Sequence, residues 1–318
     1  MTPAPAVPLA DALARGTLVL DGGLSNQLAA QGCDLSDALW SARLLADGPE
    51  QIERAHAAYV RAGARVLITA SYQATFEGFA ARGIGRAKAA ELLRGSVALA
   101  RRAGEGEGGE GGGPPWVAAS VGPYGAMLAD GSEYRGRYGL SVAELERFHR
   151  PRIEVLAGAG PDVLALETVP DMDEAEALLR AVEGCGVPVW LSYSVAGERT
   201  RAGQPLREAF ALANGNDQVV AVGVNCCEPD DAYPAVGLAA EVARKPVVVY
   251  PNSGELWDAQ ARSWRGRPTF GPDRVAAWRA AGARLIGGCC RVGPAEIARL
   301  ARALEPPPPE PALPGRMP

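Results

Sequence analysis

Read for its apolar and polar positions, the 318-residue chain resolves into eight short apolar runs separated by longer stretches of helical periodicity. The runs are Thr17–Gly23, Arg65–Gln73, Trp116–Pro123, Val163–Pro170, Pro188–Val195, Val219–Cys226, Pro246–Gly254 and Arg284–Cys290. Several are apolar at successive positions, most clearly Val-Val-Ala-Val-Gly-Val at 219–224. Strands covered on both faces read this way, and such strands pair in parallel. The stretches between them carry helix boundaries. Ser141 and Glu144 have the spacing of a capping box ahead of Leu145 and Phe148. Pro272 and Pro294 suit the first turns of the last two helices. Ala-Gly-Ala recurs at 62–64, 157–159 and 281–283, each time between a helical pattern and a run. A glycine there can take the left-handed conformation that closes a helix. Eight strand–helix units predict an α/β fold, a (β/α)₈ TIM barrel formed as a single domain by residues 1–304. An open, doubly wound sheet is the alternative.

Two segments fall outside this pattern. Gly104–Gly113 is almost all Gly and Glu and predicts a flexible linker between a helix and the third run. It matches G-x-G-x-x-G at Gly104, Gly106 and Gly109, but it precedes a strand, and its glutamates would repel a phosphate. Residues 305–318 are Pro-rich and predict an extended or disordered tail.

Composition narrows the class of function. The net charge of −5 comes with no basic stripe, which argues against nucleic acid as a partner. No apolar run approaches the ~18 residues of a membrane helix, and Met1–Ala10 lacks the charged and apolar regions of a signal peptide. A cytoplasmic location is therefore expected. Six cysteines in that compartment are core residues, ligands or nucleophiles rather than disulfides.

Chemistry-bearing residues gather at the C-terminal ends of the runs. The ends are Asp21-Gly22-Gly23, Thr69-Ala70-Ser71-Tyr72-Gln73, Ser120-Val121-Gly122-Pro123, Glu167-Thr168, Ser192-Tyr193-Ser194, Asn225-Cys226-Cys227, Pro251–Glu255 and Gly288–Arg291. In a parallel barrel these ends share one face, where active sites lie. Cys226 ends the sixth run, and Cys289 with Cys290 ends the eighth. Three thiolates can hold Zn²⁺ and leave a fourth position open. Adjacent strand residues point to opposite faces, so Cys289 and Cys290 can both bind only if the strand breaks, as Gly287-Gly288 permits. On spacing alone, three buried core cysteines are an equal alternative. Alternation turns Cys227 away from Cys226 and into the core, and Cys33 and Cys185 stand alone as structural residues. Asp21 and Glu167 can together bind a substrate ammonium group. They can also act as a general acid–base pair or serve as helix N-terminal anions. Neither His56 nor His149 ends a run, and both read as ordinary helix residues.

Taken together, Asp21-Gly22-Gly23, Gly32–Leu35, Thr69–Thr75, Ser120–Ala126, Glu167–Pro170, Gly223–Cys226, Tyr250–Glu255 and Gly287–Arg291 resemble the homocysteine S-methyltransferase family. The likeness runs from about Leu20 to Leu304. It is closest to the bacterial and plant branch, which uses S-methylmethionine or S-adenosylmethionine. The resemblance implies zinc on Cys226, Cys289 and Cys290, with Asp21 and Glu167 holding the homocysteine amino group. It places Asn225 beside the metal, and Ser71, Tyr72 and Ser120 complete the expected substrate-binding set. The implied reaction moves a methyl group from a sulfonium to the thiolate of L-homocysteine, giving methionine, with no further catalytic residue. Betaine as donor, or a barrel that binds zinc or an amino acid without turnover, are the alternatives. Cys227 stands where the family usually has a plain apolar residue, which leaves a swap with Cys226 open. A monomer or small homo-oligomer is expected.

Overall fold

Each apolar run carries a strand, shorter than the run itself. The computed structural model describes residues 5–36, 39–105, 113–258 and 263–305. Most of the expected linker and the tail beyond Glu305 lie outside the described residues. The strands are β1 (Leu18–Val19), β2 (Val66–Ile68), β3 (Trp116–Val121), β4 (Val163–Val169), β5 (Val189–Tyr193), β6 (Val219–Asn225), β7 (Val247–Tyr250) and β8 (Ala283–Ile286). Each pairs in parallel with its sequence neighbour, and β1 pairs with β8 through Leu18↔Leu285 and Val19↔Ile286. A parallel bridge from Leu20 to Val66, flanked by Arg65 N–H to Val19 O at 2.8 Å and Asp21 N–H to Val66 O at 3.1 Å, joins β1 to β2. The ring is therefore closed, which makes the fold a (β/α)₈ barrel and excludes the open sheet.

The near-continuous apolarity of the strands has its reason in two separate cores. Val66, Trp116, Ala118, Val163, Ala165, Trp190, Ala221, Val248, Tyr250 and Leu285 fill the barrel interior. The alternate residues, such as Val117, Leu164, Leu191, Val222 and Val249, pack outward against the helices. The first helix, Leu9–Arg15, covers the N-terminal end of the ring, where Leu9 and Leu13 join the interior cluster. The indole N–H of Trp116 donates to Val7 O at 2.9 Å and fixes that cover.

The helix boundaries follow the expected chemistry. Ser141 and Glu144 form both halves of a capping box on Val142–Ala157, and Pro272 and Pro294 open their helices. The Ala-Gly-Ala echo holds in two of three places. Gly63 (φ 99°) and Gly282 (φ 116°) are left-handed, whereas Gly158 stays right-handed and Gly160 (φ 72°) makes the reversal instead. No described helix is long and apolar enough to cross a membrane.

Candidate metal and substrate site

Strand β7 lies between β6 and β8, and its C-terminal extension draws their cysteines together. Cys226 N–H donates to Tyr250 O at 3.2 Å, and Asn252 N–H donates to Cys227 O at 2.9 Å. On the other flank Cys289 N–H donates to Pro251 O at 2.8 Å, and Cys290 N–H reaches Asn252 Oδ1 at 3.2 Å. The Sγ atoms of Cys226, Cys289 and Cys290 consequently lie within 4.8 Å of one another, with Cys226 and Cys290 3.8 Å apart. Sulfurs placed tetrahedrally ~2.3 Å from a zinc ion stand ~3.8 Å apart, so the donor set suits a soft divalent cation. Hydrogen bonds from Cys226 and Cys289 hold the Cys290 thiol well below its ordinary pKa, while the same contacts and burial raise Cys289. One sulfur is already biased toward thiolate.

Two breaks in strand geometry make this cluster. In β6, Asn225 shares the inward face with Ala221 and Gly223, so strict alternation would send Cys226 outward. Cys226 instead takes a left-handed backbone (φ 50°), which turns its thiol into the mouth and sends Cys227 into the outer core. In β8 the strand ends at Ile286. Gly287 and Gly288 serve there by having no side chain. A Cβ on Gly287 would stand 2.6 Å from Asp21 O, and one on Gly288 would stand 2.1 Å from Val292 Cγ1. Close approach of β1 and of the following turn is what the two glycines permit.

The carboxylates sit beside the thiols at the same mouth. Asp21 is 1% exposed; its Oδ2 accepts from Ile68 N–H at 2.9 Å, and its Oδ1 is sealed from water with no hydrogen-bond partner. Glu167 accepts from the hydroxyls of Ser120 and Tyr250, the latter at 3.0 Å. Trp190 Nε1 in turn donates to the Tyr250 oxygen at 3.1 Å, tying the carboxylate to the interior core. Burial, with the Glu167 charge adding to it, raises Asp21 well above the usual carboxylate range. Burial raises Glu167 to about 7. A cation brought between the two would restore their ionised forms.

The remaining expected residues are tied mainly to neighbouring strand ends. The side chain of Asn225 accepts from Thr168 N–H at 2.8 Å and Ser192 Oγ at 2.7 Å, and donates to Thr168 Oγ1 at 2.7 Å. Thr168 is left-handed (φ 58°), a conformation that costs a β-branched residue ~1–3 kcal/mol. Asn225 thus clamps the end of β4, next to Glu167, to the end of β6, next to Cys226. Ser71 is fully buried, with its hydroxyl on Thr69 Oγ1 (2.7 Å) and Ser120 O (2.8 Å). Tyr72 lies beside Thr168, and burial raises its phenol well above its usual value.

Sequence reasoning passed over three neighbours of the site. Tyr250 was legible by parity, since it shares the inward face of β7 with Val248. Glu133 and Tyr134 lie on a short turn, Ser132–Tyr134, in the loop after β3, where no strand period marks them. The Tyr134 hydroxyl is 3.1 Å from Cys226 Sγ. His56 is a buried core residue pushed to about 4 by desolvation. His149 is more than an ordinary helix residue, because it bridges Arg152 and Glu174.

Comparison with known proteins bears on this geometry. The family model for homocysteine S-methyltransferase matches residues 18–304. Homocysteine S-methyltransferase 4 of Zea mays is 47% identical over 92% of this chain and 90% of its own length. Homocysteine S-methyltransferase of Escherichia coli strain K12 is 48% identical over 89% of this chain and 94% of its own. The metallated form of the Escherichia coli homocysteine methyltransferase MmuM superposes with a TM-score of 0.82 at 46% identity, covering 90% of this chain and 96% of that one.

Proposed function

Since the chain belongs to the homocysteine S-methyltransferase family, we propose that it methylates L-homocysteine from a sulfonium donor, with zinc held by Cys226, Cys289 and Cys290. Homocysteine methyl transfer follows from the membership; the donor and the metal are the finer reading. The observation that carries it is the meeting of three thiols with the buried pair Asp21 and Glu167 at one mouth of the barrel. When bound, zinc supplies the positive charge that keeps a substrate thiol as thiolate near neutral pH.

The chain's own residues do the rest by placement. Asp21 Oδ1 and Glu167 face the amino group of homocysteine, which leaves its thiol directed at the cysteines. Ser120 and Tyr250 fix the Glu167 carboxylate, Asn225 fixes Thr168, and Ser71 backs Ser120. Tyr72 lines the wall next to Cys226. No general base is required, because the attacking sulfur carries no proton and the methyl group leaves none. The ring of thiols and carboxylates favours a cationic donor over a neutral one. S-methylmethionine is the preferred donor, ahead of S-adenosylmethionine and then betaine, by the likeness to the sulfonium-using branch.

The test is methionine formation from homocysteine with the three donors at equal concentration, together with elemental analysis of the purified chain. One zinc per chain and fastest turnover with S-methylmethionine are expected. Full activity in a metal-free sample would remove zinc from the reading, and faster turnover with betaine would remove the donor. Asp21→Asn and Glu167→Gln are expected to raise the apparent KM for homocysteine roughly 10- to 100-fold each, the worth of one charge-assisted hydrogen bond. Zinc content should hold in both. Unchanged homocysteine affinity in the two variants would refute the ammonium anchor.

A further inference from the structure

Among the described residues, two buried carboxylates have an oxygen sealed from water without a hydrogen-bond partner: Asp21, through Oδ1, and Glu133, through Oε2. The other buried acids are engaged. Asp171 accepts from Arg137 N–H, Asp173 N–H and Gln204. Glu174 accepts from Tyr124 N–H, His149 and Tyr138. Glu167 accepts from Ser120 and Tyr250. A buried carboxylate without a partner is costly unless a cation arrives to pair with it.

Glu133 is 8% exposed and precedes Tyr134, whose hydroxyl lies 3.1 Å from Cys226 Sγ. The turn that carries it is built. Asp130 Oδ1 accepts from Ser132 N–H at 2.9 Å, and Arg135 Nη2 donates to Ser132 Oγ at 2.7 Å. Gly125 lies so close beneath that a Cβ there would stand 2.4 Å from Glu133 N. Burial raises the Glu133 carboxyl above its usual range.

We propose that Glu133 is a specificity-determining residue that holds the α-ammonium group of an amino-acid methyl donor. The inference rests on the function proposed above. Both substrates of that reaction are amino acids, so two ammonium groups need two anionic seats. Asp21 and Glu167 form one, at the ends of β1 and β4. Glu133, on the loop after β3, is the second. The ammonium is a better target than the sulfonium. The sulfonium loses its charge as the methyl group moves, so a carboxylate on it would favour the ground state over the transition state. The ammonium keeps its charge throughout, and holding it orients the donor at no cost to the barrier.

The experiment measures kcat/KM for S-methylmethionine and for dimethylsulfonioacetate, a sulfonium donor without an ammonium group, in the wild-type chain and in Glu133→Gln. Homocysteine is saturating throughout. The wild-type chain is expected to prefer S-methylmethionine, and the isosteric variant to lose that preference by roughly 10- to 100-fold through KM. The apparent KM for homocysteine should not follow. Wild-type turnover with an unchanged donor ratio in the variant overturns this inference alone. A wild-type chain that methylates homocysteine from neither donor overturns the function beneath it, and the inference with it.

Discussion

Serine at Cys226, Cys289 or Cys290 is expected to strip the chain of its metal and reduce methyl transfer to background. A hydroxyl stays protonated where a thiol ionises, and its hard oxygen is a poor ligand for a soft site. Changes to residues that only orient metal ligands already cost ~10–100-fold in affinity or activity, and loss of a ligand should exceed that. Cys226 and Cys290 belong to neither core and Cys289 only borders the interior one, so thermal unfolding should stay near that of a metal-free wild-type sample. Elemental analysis and turnover check this, and full activity in any one variant would take that cysteine out of the site. Cys227→Ser is the decisive control. Its thiol is fully buried in the outer core, so metal and activity should persist while stability falls by ~1–3 kcal/mol for the unpaired hydroxyl. Cys33→Ser and Cys185→Ser should keep metal and activity as well. Metal loss in Cys227→Ser but not in Cys226→Ser would contradict the left-handed turn at Cys226.

Glu174→Ala is expected to give the largest loss of stability. Glu174 is fully buried at the start of the helix Met172–Ala181 and accepts from Tyr124 N–H, from Tyr138 and from His149. Arg152 Nη2 donates to His149 Nδ1 at 2.6 Å, which makes that nitrogen an acceptor and leaves the proton on Nε2, facing Glu174. Burial, and then the Arg152 charge, depress His149 well below its usual value. The close His149–Glu174 contact is thus a neutral histidine relaying hydrogen bonds between a guanidinium and a carboxyl, not an ion pair. Without Glu174, the buried Arg152 guanidinium loses its counter-charge. Removing one member of a buried charge network costs ~3–5 kcal/mol, or roughly 4–8 °C in melting temperature for a chain of this size. Calorimetry with metal analysis tests it. A loss below ~1 kcal/mol would show that the network carries no such weight, and metal content should not change, since none of its members touches the thiols.

The fold was legible because each strand is buried on both sides, so eight apolar runs stood out against the helical stretches. The site was legible where its residues end strands: Asp21, Glu167, Asn225 and the cysteines all do. Three matters were hidden, each for its own reason. The turn at Cys226 runs against the parity set by Asn225, and only the backbone reveals it. Asn225, Ser71 and Ser120 read as pocket residues by position, yet their hydrogen bonds run largely to the ends of neighbouring strands. Glu133 and His149 belong to no strand, and their importance comes from what packs over them. Glu133 lies seated on Gly125, and His149 is enclosed with Arg152 and Glu174. Long-range packing of that kind leaves no periodic trace.

Closure of the ring through β1 and β8 has a consequence for how the chain acquires its chemistry. Leu18 pairs with Leu285, and Gly288 N–H donates to Asp21 O, so residues from the two ends of the polypeptide meet at the seam. Loop-closure entropy places such pairings late. During synthesis β1 emerges first and waits for β8, and Cys226 waits for Cys289 and Cys290, just beyond that same strand. A nascent chain therefore carries Cys226 apart from Cys289 and Cys290, outside the cluster the folded chain gives them. They gain one another, and their shelter, in the event that shuts the barrel.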